Sequence, residues 1–489
     1  MNNGSNMKEH GLIVGAGLAG ALMACYLARA GYRVTVCERR PDPRIAGFAG
    51  GRSINLALST RGITALEGVG LAERVLKDAI PMYGRMIHDP QGHTHFQHYS
   101  RVPGEHINSV SRGGLNLTLL EAADEHESVT LRFRLRCVDV DIERPAAVFV
   151  DESTGVSETI EAGFIIGADG AFSAVRDAML HKVFNFNYAQ EFLEHGYKEL
   201  EIPGGTGLRP IVVSAALRAA GPPAQRAGET SHGSESHATG AHGSQSRATL
   251  EPGALHIWPR GGSMMIALPN PDGSFTCTLF WPYEGAHSFS AIKSRADIVP
   301  FFQRHYPDAV PLMPTLEDDY ERNPVGALPT IRCAPWHAGG KVLLIGDAAH
   351  AIVPFFGQGM NAAFEDCRIL AELLRDSRED RSSVFAAFSR ARNVDADAIA
   401  DMALENFIEM RDKTASRLFR GRKKIDNALH RWVPRAFMPL YNMVSFTNIP
   451  YAEARRRGQA QQRMMLALLI VFVTFGAGAL ALVWSYLTG

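Results

Sequence analysis

The sequence predicts an α/β fold in which a βαβ unit opens a parallel sheet, a second sheet follows, and helices close the chain before one apolar terminal span. Three observations carry this prediction. A glycine-rich turn joins an apolar run to a helix-period segment near the N-terminus, β-branched runs recur through the middle, and the region after residue 375 is rich in helix formers. With 489 residues the chain is long enough for two or three packed domains. Its 50 basic and 51 acidic side chains nearly cancel, so no overall field points to nucleic acid or to a strongly acidic partner.

Gly11–Val14 reads as a strand, the segment after Gly15 as a helix and Arg33–Val36 as the next strand. Gly15, Gly17 and Gly20 form GxGxxG directly after the first strand. The first glycine permits the turn, the second lets backbone approach a pyrophosphate, and the third allows close helix packing. Glu38 ends the second strand, where a carboxylate can accept a ribose hydroxyl. A Rossmann-like dinucleotide site follows, with NAD and FAD both open. Further on, Ser128–Ile142 alternates apolar and polar residues, and Phe164–Gly167 is a short buried strand. Gly221–Gly243 holds almost no large apolar side chain and cannot offset its ordering entropy, so a disordered insertion is expected. LHIWPRGGSMMIALP from Leu255 and FTCTLFWP from Phe275 read as neighbouring strands of a second sheet, with a turn at Asn270–Ser274.

Val342–Ile345 is another strand, and Gly346-Asp347-Ala348-Ala349-His350 follows it. Asp347 stands at a strand end, where it can accept a second hydroxyl from an extended dinucleotide. Pro354 and Gly357-Gln358-Gly359-Met360-Asn361 precede a helix, whose free N–H groups can face anionic or electron-rich ligand atoms. Ser382–Leu418 carries helix-favouring Ala, Arg, Glu and Met with no Gly or Pro, which predicts one or two helices.

The chain then becomes membrane-like. Met464–Leu487 carries no charge, and its 24 residues (464 through 487) would span about 36 Å as a helix, enough to cross a hydrocarbon core. Arg455, Arg456, Arg457 and Arg463 precede it, which predicts a tail anchor with the catalytic part in the cytosol. The expected organisation is a discontinuous cofactor domain over 9–80, 105–180 and 330–375, and a substrate domain over 81–104 and 181–329 with its insertion at about 221–250. A helical region over 376–450, a basic linker over 451–463 and a transmembrane anchor over 464–487 complete it. Six cysteines without CxxC pairs, and no secretory leader, predict reduced thiols; no metal site is expected, because histidines cluster only in the insertion and between His88 and His106.

Gly167-Ala168-Asp169-Gly170 with Ser173 and Arg176 resembles the DG motif of class A flavoprotein monooxygenases, and Gly346–His350 with the turn at Gly357–Asn361 resembles their GD motif. Within that family the resemblance is strongest to the members that hydroxylate kynurenine. It is carried by GRSINLALSTRG (Gly51–Gly62), the SVSR run ending at Arg112, LHIWPR (Leu255–Arg260) and PFFGQGMNAAFEDC (Pro354–Cys367). It covers most of the chain apart from the insertion and the tail tip.

The resemblance implies that FAD is the bound cofactor, NADPH the reductant, and O₂ the oxidant that hydroxylates L-kynurenine to 3-hydroxykynurenine through a C4a-hydroperoxyflavin. It implies FAD contacts at Gly15, Gly17, Leu18, Gly20, Glu38, Arg39, Ala57, Arg112, Asp169, Asp347, Gly359, Met360 and Asn361. Gly357, Gln358, Gly359, Met360 and Asn361 would stabilise charge developing at the flavin. Arg85, Tyr99 and Asn361 would bind the substrate, together with Phe407, which stands where the family has a carboxylate-binding tyrosine. One lost hydrogen bond to a charged group costs about 1.5–3 kcal/mol if nothing replaces it. For a eukaryotic source the resemblance implies the mitochondrial outer membrane. Two rival readings share the flavin motifs: a membrane-bound hydroxylase or epoxidase of a quinone or isoprenoid, and a flavin-binding membrane scaffold without turnover.

Overall fold

A computed structural model describes residues 8–47, 55–100, 102–204, 250–376, 380–413, 437–467 and 474. With strands numbered in chain order, one six-stranded sheet runs His337–Ala338 (β18), Val342–Leu344 (β19), Phe164–Gly167 (β12), Lys8–Val14 (β1), Tyr32–Glu38 (β2), Val129–Phe133 (β8). All neighbours in it are parallel except β18 and β19. Its central strands, GLIV of β1 and FIIG of β12, are apolar without alternation because both faces are covered. The helix Leu18–Arg29 (α1) covers one of them and buries Gly20 through Leu27. Parallel strands end on one edge, so the turns after β1, β12 and β19 emerge side by side.

A seven-stranded sheet runs Gly326–Ala334 (β17), Asn187–Ile202 (β13), Phe275–Pro282 (β16), Met264–Pro269 (β15), Ala254–Pro259 (β14), Gly84–His88 (β5), Thr94–His98 (β6). Here β5 lies parallel to β14 with Arg85 opposite Leu255, which brings an early segment of the chain into the later sheet. Trp258, Trp281, Phe302 and Tyr306 fill the core behind it. Two three-stranded sheets complete the strands among the described residues: Asn55–Leu58 (β3), Ile107–Ser111 (β7) and Ile80–Met82 (β4), and Leu135–Asp141 (β9), Ala146–Asp151 (β10) and Ser157–Glu161 (β11). The alternating segment expected over Ser128–Ile142 is two strands in two sheets. Arg134, at φ 64°, turns the chain between them.

Thr60–Gly68 (α2) packs on Gly359–Asp376 (α3), and Arg381–Ile408 (α4), Leu440–Phe446 (α5) and a helix over 451–467 (α6) follow in the C-terminal part. Within the expected helical region 382–418, residues 414–418 lie outside the described residues, as do 221–249 of the expected insertion. All six cysteines are free thiols buried in the cores.

The transmembrane element of the expected fold is corrected. Among the described residues no helix is long and apolar enough to cross a membrane. The helix α6 leads into the expected span, and its turns carry Arg455, Arg456, Arg457 and Arg463. Arg455 pairs with Asp401 and Glu405 of α4, and Tyr451 and Ala454 are buried, so these turns are docked on the protein by charge and apolar contact. Such charged turns are costly in hydrocarbon. Of the anchor expected over 464–487, residues 464–467 continue α6 with Met464 and Leu466 exposed, while 468–473 and 475–487 lie outside the described residues.

Candidate functional site

The shared edge of the parallel sheet gathers the three cofactor motifs. Gly15 has φ 99°, and a Cβ there would stand 2.6 Å from the Ala168 carbonyl oxygen. A Cβ on Gly20 would meet the Gly15 carbonyl oxygen at 1.9 Å, so this glycine lets α1 press onto the turn. Around Gly17, by contrast, nothing lies within 4 Å of where a Cβ would be, and the site opens beside a helix N-terminus, which suits a pyrophosphate. Glu38 is buried at the end of β2. Its Oε2 accepts from the Ala16 N–H at 3.0 Å and its Oε1 from the Arg40 N–H and Nε at 3.0 and 2.8 Å. Burial pushes its pKa up, but these donors outweigh burial and hold it below the usual carboxylate range. Leu18 begins α1 partly exposed, and Arg39 lies exposed beside Glu38.

Gly346 turns the chain after β19 with φ 57°, and Asp347 is exposed at the start of the short helix Asp347–His350. Asp169 caps another helix: it accepts from Ser173 Oγ at 2.5 Å and from the Ala174 N–H at 2.7 Å. Arg176 then donates to the Ala348 carbonyl at 2.9 Å and to the Ala171 carbonyl at 2.6 Å, joining the loops after β12 and β19. An open cradle at Gly17, a fixed acid at Glu38 and an exposed acid at Asp347 fit an extended dinucleotide such as FAD.

Gly357, at φ 67°, ends a short turn, and α3 begins at Gly359, so backbone N–H groups of the first turn face out with the positive end of the helix dipole. The structure places the Asn361 amide between this turn and β3. It donates to the Ala57 and Gly357 carbonyls at 2.8 and 2.9 Å and accepts from the Ser59 N–H at 2.9 Å. Gln358 is buried and accepts from the Tyr451 hydroxyl at 2.9 Å. Met360 is partly exposed. Arg112 lies exposed at the start of the helix Arg112–Asp124, within electrostatic reach of Glu199 and Tyr197 on β13.

Sequence reasoning missed the buried ion network behind this turn. Asp366 of α3 accepts from the Gly346 N–H at 3.0 Å, from His350 at 2.5 Å and from Arg392 Nε at 2.7 Å. Arg392 also reaches Glu365 at 2.8 Å, and Glu365 accepts from Arg61 of α2 at 2.6 Å. Arg61 lies 3.9 Å from the Tyr451 ring centroid. The charges alternate through residues 16 to 304 positions apart, so only the EDC segment and the isolated arginines could have hinted at it.

Arg85 on β5 is 9% exposed, and Tyr99, just after β6, is 7% exposed. The Arg85 guanidinium stands 5.6 Å from the Tyr99 ring centroid and 4.9 Å from that of Tyr441, on α5. Burial opposes its charge, but Tyr441, Tyr99 and Glu409 outweigh burial and raise its pKa. Arg85 Nε is buried with no hydrogen-bond partner. Phe407 is buried in another apolar cluster, stacked on Phe355 at 4.1 Å and edge-on to His195 at 5.0 Å.

A family model described as an FAD binding domain matches residues 9–193 and 317–402. The chain is 46% identical over 451 residues to the kynurenine 3-monooxygenase of Myxococcus xanthus, covering 92% of this chain and 89% of that one. It is 41% identical over 469 residues to that of Dictyostelium discoideum, covering 94% and 92%. Among solved structures, 2-methyl-3-hydroxypyridine-5-carboxylic acid oxygenase shares the fold with a TM-score of 0.61 at 18% identity, covering 88% of this chain and 98% of that one. Sheet edge, cradle and acids together with these matches define an FAD-dependent monooxygenase. More narrowly, the chain belongs to the kynurenine 3-monooxygenase family.

Proposed function

We propose that this enzyme hydroxylates L-kynurenine to 3-hydroxykynurenine with NADPH and O₂ as co-substrates. One observation carries the substrate: a buried guanidinium whose Nε has no hydrogen-bond partner, framed by phenols, beside a cluster of aromatic and aliphatic side chains. Such a cation asks for an anion, and the carboxylate of an aromatic amino acid supplies one while its ring takes the apolar space. Bound FAD supplies hydride acceptance and oxygen activation.

The residues do the rest. Gly17, Glu38 and Asp347 hold the cofactor's polar spine. The first turn of α3 presents N–H groups to negative charge that develops on the flavin side, and Asn361 fixes that turn against β3. Arg85 and Tyr99 seize the carboxylate and thereby set where the ring lies. Phe355 and Phe356, both buried, keep water from the reacting face. Asp169 and Arg176 shape the loops at which NADPH approaches. The substrate's own anilinic nitrogen activates its ring, so no strong base is required.

Arg85→Ala is expected to abolish kynurenine-stimulated NADPH oxidation while FAD stays bound. Unchanged stimulation in the variant would refute the carboxylate assignment. Mass spectrometry of the product from kynurenine, NADPH and O₂ tests the reaction itself, and the absence of a product one oxygen heavier sinks it.

A further inference from the structure

We infer that Tyr441 is a substrate-binding residue, the third member of a clamp with Arg85 and Tyr99 that holds the carboxylate of the substrate. The inference rests on the kynurenine reading and extends it to the C-terminal helices. Tyr441 belongs to α5, far in sequence from Arg85 and Tyr99, yet its ring stacks on that of Tyr99 with centroids 5.2 Å apart and planes 18° apart. Its other neighbour, Phe356, stacks on it at 5.6 Å and belongs to the turn that leads into α3. The phenol ring therefore bridges Tyr99 and the turn that leads into α3.

Its chemistry matches what the buried cluster lacks. The Arg85 guanidinium stands closer to the Tyr441 ring than to the Tyr99 ring, at 4.9 against 5.6 Å, and the polar groups of all three residues interact. Arg85 Nε remains without a partner, so this buried cluster has donor capacity left for a ligand. A carboxylate has about four lone-pair positions, more than one guanidinium edge uses, and two phenol hydroxyls can take the remainder. Tyr441 is partly exposed where Arg85 and Tyr99 are buried, which leaves it a side open to an incoming group. Phe407 has no hydroxyl to offer and is stacked on Phe355, so the clamp draws its third donor from α5.

The test compares FAD-loaded wild type with Tyr441→Phe, which keeps the ring stacking and removes only the hydroxyl. Each is titrated with L-kynurenine and with kynuramine, the analogue without the carboxylate, following flavin absorbance. We expect the variant to bind kynurenine about tenfold or more weakly and kynuramine within about twofold of wild type. FAD content and melting temperature equal to wild type establish that the variant is folded. Equal kynurenine affinity in the two proteins, or an equal loss for both ligands, overturns the clamp and leaves the substrate reading standing. Wild type that does not respond to kynurenine overturns the substrate reading, and the clamp with it.

Discussion

Asp366→Asn is the sharpest test of the buried network, because the substitution keeps volume and removes one charge. The carboxylate now accepts from the Gly346 N–H, His350 and Arg392 with both oxygens in use. An asparagine must turn its NH₂ towards one of those donors, which leaves Arg392 or the Gly346–His350 side without an acceptor in a fully buried site. Burial alone would raise the Asp366 pKa, yet His350 and Arg392 bring it down to about 2. Against an unfolded value of about 3.9, that depression corresponds to about 2–3 kcal/mol of stability. A folded pKa below the unfolded one gives stability that is complete above about pH 4 and lost as pH falls towards 2. Breaking a buried ionic group by mutation costs about 3–5 kcal/mol, since the partners remain buried. The variant should lose that much unfolding free energy in urea at neutral pH. Because Gly346 precedes Asp347, FAD affinity measured by flavin fluorescence quenching should also fall, by about tenfold. Unfolding free energy within about 1 kcal/mol of wild type, with unchanged FAD affinity, would refute the idea that this network holds the cofactor turn.

The glycines of the first turn should separate by substitution: Gly20→Ala forces backbone apart at 1.9 Å and should yield insoluble or FAD-free protein, whereas Gly17→Ala should fold with normal circular dichroism and lose FAD affinity. Equal behaviour of the two variants would contradict the assigned roles. His256 lies against His88 and the Glu251 carbonyl at 2.9 Å each, and burial pushes its pKa down to about 3. Its neutral form is favoured by folding, so the associated stability is complete above about pH 6.5 and erodes as pH falls towards 3. Replacing it with Gln should flatten urea-unfolding free energy against pH between about 6 and 4; an unchanged slope would assign the acid sensitivity to other groups.

Local chemistry was legible in the sequence. Gly15, Gly17, Gly20 and Glu38 are close in sequence and obey a spacing that backbone geometry dictates, and the strands Phe164–Gly167 and Val342–Leu344 are apolar runs that announce burial. Sequence adjacency, however, says nothing of which strands neighbour one another. That β12 lies between β1 and β19, and so brings three turns to one edge, is a fact of topology. Tyr441 was missed for the same reason: no local signal marks one tyrosine in Leu440–Phe446 as the neighbour of Arg85. The terminal span is overread because the arginines before it are taken as markers of membrane orientation, whereas Arg455 docks α6 on α4 through Asp401 and Glu405.

The buried thiols offer a way to time the opening of the two halves of the enzyme separately. Cys25, Cys37, Cys137, Cys333 and Cys367 lie in the core around the parallel sheet, and Cys277 lies in the core behind the seven-stranded one. Burial pushes all six thiols up, Cys25 and Cys37 to about 12, so almost no thiolate exists until the surrounding core opens. Alkylation resolved by peptide therefore clocks local unfolding: modification at Cys277 reports the substrate sheet, and modification at Cys37 reports the cofactor sheet. Adding FAD should slow the second clock, and any slowing of the first measures how firmly the two sheets are coupled.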